Sequence, residues 1–111
     1  GVCGQWCPEM DIMEANSRAF SSSPHRCDGP SPKGHYSSCD RTGCGRSARD
    51  AGTNAYGPGE AYKINTHLPF EVLMTFHGSS MLASPAAATF TGMETKLRQG
   101  DREVVLDFSE C

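Results

Sequence analysis

Six cysteines in 111 residues, at Cys3, Cys7, Cys27, Cys39, Cys44 and Cys111, constrain this chain more than any other feature. An even count in a short chain with 12 glycines and 7 prolines favours a disulfide framework in an oxidising compartment. Which sulfurs pair is left open by the spacings alone. Zinc is the rival reading, because Cys27, Cys39 and Cys44 lie near His25 and His35 in sequence. The spacing of "CDRTGC" is loose for such a site, and no second compact Cys/His pair follows it. Disulfides are therefore expected, with neither a metal nor a cofactor.

The length allows one domain at most, residues 1–111, and a small core. A net charge of −3, with the basic residues scattered, argues against a nucleic-acid footprint. No apolar run approaches the roughly 20 residues of a membrane helix. The chain opens on Gly1 with no basic-then-apolar leader, so it reads as a mature product or as a segment of something longer. No N-x-S/T sequon is present to add support for secretion.

Texture changes along the chain. Residues 18–58 are crowded with Ser, Gly, Pro and Asp and show no sustained apolar period, so they are expected to be mostly loop, pinned by disulfides. From Glu60, "EAYKINTHLPFEVLMTFHG" reads as two strands broken at "NTHLP". Phe70, Val72, Met74 and Phe76 alternate there with Glu71, Leu73, Thr75 and His77. Residues 81–92 are small and weakly patterned. "METKLRQGDREVVLDFSEC" predicts a hairpin: one arm at Met93–Arg98, a turn at Gln99-Gly100-Asp101, and a strand at Glu103–Phe108. The chain is expected to be mainly β.

The stretch "PEMDIMEANS" places Glu9, Asp11 and Glu14 within six residues. Two readings compete. As a helix start, Pro8 suits the first position and Glu9 and Asp11 favour the positive end of the dipole. As a strand, Glu9 and Asp11 share one face with Met10 and Ile12 on the other, and Glu14 falls out of phase. A β-bulge at Ile12-Met13 would return Glu14 to the face of Glu9 and Asp11. That geometry has a specific chemistry. Retaining glycosidases hold two carboxyl groups about 5–5.5 Å apart, one the nucleophile and one the acid and then base.

These residues carry a family resemblance. "PEMDIMEANS" resembles the "EMDIWEANS" catalytic strand of the family 7 glycoside hydrolases, the cellobiohydrolases and endoglucanases. "SPHRC" at 23–27 is similar to the family's "PHxC", and "CDRTGC" at 39–44 to its "CDxxGC". "YGPG" at 56–59, followed by "YKINTHLPFEVLMTF", resembles its "YGPG…F.ID…KPFTVVTQF". The resemblance favours the strand reading. It implies part of a concanavalin-like jelly-roll β-sandwich with long disulfide-pinned loops, and retaining hydrolysis of β-1,4-glucan outside the cell. By the same resemblance Glu9 is the nucleophile, Asp11 its hydrogen-bonding partner and Glu14 the general acid/base. His25 and His35 are expected to contact substrate, a β-glucan oligosaccharide or polysaccharide. The implied bridges are Cys27–Cys39 and Cys44–Cys111, the second worth about 4 kcal/mol in the chain-entropy model.

The chain also departs from the pattern. Met13 stands where the family usually has Trp, exchanging a packing aromatic for a flexible thioether. The adjacent cysteine pair that normally precedes the motif is opened into "CGQWC", so Cys3 and Cys7 either bond each other or are left without their usual partners. Gly45 and Arg46 replace acidic and Trp residues, and Trp6 is the single Trp. The family fold is several times longer than this chain. A piece of it leaves sheet edges and one apolar face uncovered, to be covered by other protein chains. The alternative to an enzyme is thus a non-catalytic descendant acting as a structural or interaction subunit.

Overall fold

A computed structural model describes residues 5–79 and 89–111. Cys3, and residues 81–88 of the weakly patterned stretch, lie outside the described residues. Among the described residues eight strands run in chain order: β1 (Glu9–Ala15), β2 (Phe20–His25), β3 (Arg46–Ser47), β4 (Tyr56–Gly57), β5 (Ile64–Asn65), β6 (Glu71–Ser79), β7 (Thr89–Gln99) and β8 (Arg102–Asp107). They form a three-stranded sheet β1-β2-β3, a two-stranded parallel pair β4-β5, and a three-stranded antiparallel sheet β6-β7-β8.

The helix reading of Pro8–Ser17 is excluded, because Glu9–Ala15 is a strand paired antiparallel with β2. The expectation of loop over 18–58 is corrected at β2. Phe20–His25 is a strand although "FSSSPH" lacks apolar alternation. Its inward residues are Phe20 and Ser22, both fully buried. Ser22 satisfies its hydroxyl by donating to the Ile12 carbonyl at 2.7 Å, so a polar residue occupies a core position without the usual penalty. Pro24 is tolerated because β3 pairs only with Ser21 and Ser22, leaving that part of β2 without a neighbour from β3. "RSARD" is likewise not a plain solvated loop. Arg46 and Ser47 form β3, and Ala48–Ala51 form one turn of 3-10 helix, closed by a Ser47/Asp50 capping box and burying Ala48.

The later strands follow the alternation more closely. Phe70, Val72 and Met74 pack on the core from the β6 side. The hairpin turn is Gly100-Asp101, with Gln99 opposite Arg102 and Gly100 at φ +60°, a conformation favouring glycine. β7 starts at Thr89, earlier than the arm expected at Met93, and Tyr62 lies outside the short β5. Tyr56 meets Phe20 in a tilted ring contact at 5.9 Å between centroids and Phe70 edge to face at 5.6 Å. Leu97, Val104, Leu106 and Phe108 complete this core from β7, β8 and the residues after it. The two larger sheets meet where the buried Ser22 Oγ lies 3.3 Å from the buried Thr95 Oγ1. The inward residues of β2 are thereby covered, whereas Met10, Ile12 and Met13 of β1 stay exposed.

Candidate active site

The site begins with a register shift. Glu9 pairs with His25, Met10 with Pro24, Asp11 with Ser23, and then Glu14 with Ser21. Ile12 and Met13 together oppose the single residue Ser22, which is a β-bulge. Residues directly opposite in a sheet share a face. Glu9, Asp11 and Glu14 therefore lie on the face of Ser21, Ser23 and His25, away from the buried Phe20 and Ser22. Without the extra residue Glu14 would point into the core.

His25 is held on both ring nitrogens. Nδ1 donates to the Asp40 carbonyl at 2.7 Å, and Nε2 stands 3.0 Å from Asp11 Oδ2. A carbonyl can only accept, so the Nδ1 proton is fixed there. The Asp40 carbonyl first, and then the Asp11 carboxylate, raise the His25 pKa above its ordinary value; burial opposes this and the charge of Glu9 adds to it. The imidazolium form satisfies both contacts at once. Gly43, at φ +72°, lies against the ring, where an added Cβ would sit 2.9 Å from Cε1. This partner of His25 had no signal in the sequence beyond its place beside Cys44.

His35 is not brought to the acids. It is exposed at a turn, where its backbone N–H donates to Ser31 Oγ. The bridges Cys27–Cys39 and Cys44–Cys111 close loops of sequence separation 12 and 67. Their sulfurs are thereby withdrawn from any thiolate metal site. Cys7 carries no bridge among the described residues. Glu9, Asp11 and His25 bring one oxygen or nitrogen each within 4.8 Å of one another, and with both His25 nitrogens taken by Asp40 and Asp11 the cluster is a hydrogen-bonded one. A cleft of about 1260 Å³ opens beside this cluster, lined by Glu9, His25, Tyr36, His77 and Phe90 among others. Asp11 and Glu14 are not part of its lining.

The chain matches the model of Glycosyl hydrolase family 7 over residues 1–104. It belongs to that family. Endoglucanase 1 of Humicola insolens is 43% identical over 84 residues, covering 66% of this chain and 20% of the relative. Endoglucanase type C of Fusarium oxysporum is 39% identical over 84 residues, covering 68% and 19%. The chain thus spans about a fifth of the length of these curated relatives. Among solved structures, an endoglucanase I complexed with cellobiose superposes with a TM-score of 0.65 at 29% identity, covering 88% of this chain and 25% of that one. The two sheets are accordingly part of the family's jelly-roll β-sandwich. The cleft is bordered by residues of both larger sheets, Met10 and Pro24 of β1 and β2 and Phe90 and Met93 of β7.

Proposed function

We propose that this segment carries the acid face of a β-1,4-glucan hydrolase that acts with retention outside the cell. The supporting observation is the bulge that sets Glu9, Asp11 and Glu14 on one open face of β1. The bulge leaves Glu9 and Glu14 opposite His25 and Ser21, four sheet positions apart, or roughly 13 Å at about 3.3 Å each, a gap that two glutamate side chains leaning together would narrow toward the spacing of a retaining pair. Glu14, as the acid, gives its proton to the glycosidic oxygen while the Glu9 carboxylate attacks the anomeric carbon. A covalent glycosyl ester forms and the leaving sugar departs. Glu14 then takes a proton from water, which breaks the ester and restores both carboxyls. Asp11, between them, is the hydrogen-bonding partner of Glu9.

The test compares Glu9→Gln and Glu14→Gln in the native protein. Glu9→Gln is expected to abolish turnover of cello-oligosaccharides and of an activated aryl cellobioside alike. Glu14→Gln should lose the oligosaccharide but still cleave the aryl substrate, with added azide restoring turnover. Unchanged activity in both variants would overturn the assignment.

A second reading, the non-catalytic interaction subunit, draws on exposed apolar side chains. Met13 and Phe90 are 58% and 53% exposed. It predicts a large contact with other protein and no glycan cleavage.

A further inference from the structure

We propose that His25 is a positioning residue rather than a sugar contact: clamped by the Asp40–Cys44 loop, it holds Asp11 and, through Asp11, the orientation of the Glu9 carboxylate. This rests on the catalytic reading of Glu9 and Asp11 given above.

Four observations carry it. First, the His25 side chain is only 9% exposed, and both ring nitrogens are already engaged, so a sugar hydroxyl finds neither a free donor nor a free acceptor there. Second, the clamp is built from backbone on either side of His25. Asp40 N donates to the Arg26 carbonyl at 2.7 Å, and Cys44 N donates to the Pro24 carbonyl at 3.0 Å. Third, the loop between these anchors has one shape. Thr42 N donates to Asp40 Oδ1 at 2.9 Å, and Gly43 adopts a positive φ that brings its bare Cα against the ring. Fourth, each end of the loop is stapled, Cys39 to Cys27 and Cys44 to Cys111.

Among the described residues, the charges that act on the ring come from β1. Asp11 and Glu9 face it from β1. The Asp40 carboxylate is occupied by Thr42, and Arg26 is turned to the Cys111 carbonyl. When the ring loses a proton, Nδ1 keeps its own for the Asp40 carbonyl, and Nε2 then presents a lone pair to the Asp11 carboxylate. The hydrogen bond that fixes Asp11 is lost, and Asp11 is then free to shift relative to the Glu9 carboxylate, which has an oxygen within 4.8 Å of it.

The experiment measures kcat and KM against pH for an activated aryl cellobioside, whose leaving group needs little proton donation, so that Glu14 does not dominate the alkaline side. His25→Ala should lower kcat on the order of 10- to 100-fold with KM nearly unchanged, as expected for a displaced reacting group. His25→Gln keeps an amide donor for Asp11 but cannot titrate. It should recover most of the activity and lose the alkaline fall in kcat/KM expected of the native protein. Gly43→Ala, which leaves His25 in place but displaces its ring, should resemble His25→Ala. A His25→Ala variant with raised KM and intact kcat would assign the ring to the sugar and overturn the proposal.

An NMR titration of the His25 ring provides a readout that does not need activity. The ring should titrate above ordinary histidine in the native protein and lower in Asp11→Asn. The same titration in both would also overturn the clamp. A native protein that cleaves no glucan removes the catalytic reading alone, and the ring titration still decides the His25–Asp11 link.

Discussion

The Ser22 hydroxyl donates to the Ile12 carbonyl at 2.7 Å, and its oxygen lies 3.3 Å from Thr95 Oγ1 in the opposite sheet. A bulge interrupts the sheet ladder, and here a side chain from the facing strand takes up one of the loosened carbonyls. The phase of Glu14 is therefore fixed from inside the core. Ser22→Ala strips the Ile12 carbonyl of its partner and leaves the buried Thr95 hydroxyl with Met74 Sδ at 3.1 Å. It is expected to cost about 1–3 kcal/mol in urea denaturation, with a further loss of Glu14-dependent turnover. Thr95→Val, which leaves the Ile12 bond intact, should cost stability without that extra loss.

The bridge between Cys44 and Cys111 spans a sequence separation of 67 and ties the loop over His25 to the end that follows β8. Replacing both cysteines by serine should lower stability by about 4 kcal/mol, against about 3 kcal/mol for the Cys27–Cys39 pair with its separation of 12. Thermal melts of the two double variants, run under oxidising conditions, measure the difference. Equal losses would show that loop length is not what sets these contributions.

Two charged pairs respond to pH in opposite directions. The His25 pKa is raised above the unfolded value of 6.5, so its contribution is complete below that value and is lost as pH rises through the folded pKa. The Glu103 pKa is lowered from 4.5, chiefly by the Arg98 side chain at 2.7 Å, with the charge of Lys96 adding to it. Its contribution is present above 4.5 and is lost as pH falls through the folded pKa. Denaturation across pH should show the gap between native protein and His25→Gln closing on the alkaline side. The gap to Glu103→Gln should close on the acid side, and, being at the surface, shrink with added salt.

The parts of this structure legible in the sequence are those whose signal is local. Alternation at Phe70–Phe76 marked β6, and "RQGDR" marked the hairpin, because side chains of period two and a Gly-Asp turn carry their own geometry. The doubled Ile12-Met13 showed the bulge for the same reason. β2 was not legible. Its inward position Ser22 is a hydroxyl whose partners lie 10 and 73 residues away, and no window of sequence contains them. The seating of His25 was hidden in the same way, since one of its partners is a backbone carbonyl and another a glycine with no side chain. Asp11, His25 and Glu9 could be named from the motif, but their pairing depends on a loop that two distant bridges hold in place.

Gln99 closes the far end of the core and gives the last prediction. It is 9% exposed, and its amide oxygen accepts from Asn65 N at 2.8 Å and from Arg102 Nη2 at 3.1 Å. Its Nε2 donates to the carbonyls of Asn65, Leu68 and Pro69 at 2.9, 3.3 and 3.1 Å. One side chain thus serves the backbone of "NTHLP", the break that ends β5 and leads to β6. Gln99→Met keeps the volume and removes every one of these bonds, so the cost comes from unsatisfied backbone rather than from a cavity. The expected loss is about 2–3 kcal/mol, larger than the isosteric exchange of an apolar neighbour such as Leu97→Met, at under about 1.5 kcal/mol. Hydrogen exchange at Asn65 should accelerate in Gln99→Met more than exchange in the β7–β8 ladder. A uniform acceleration would mean that Gln99 supports the whole fold rather than this turn.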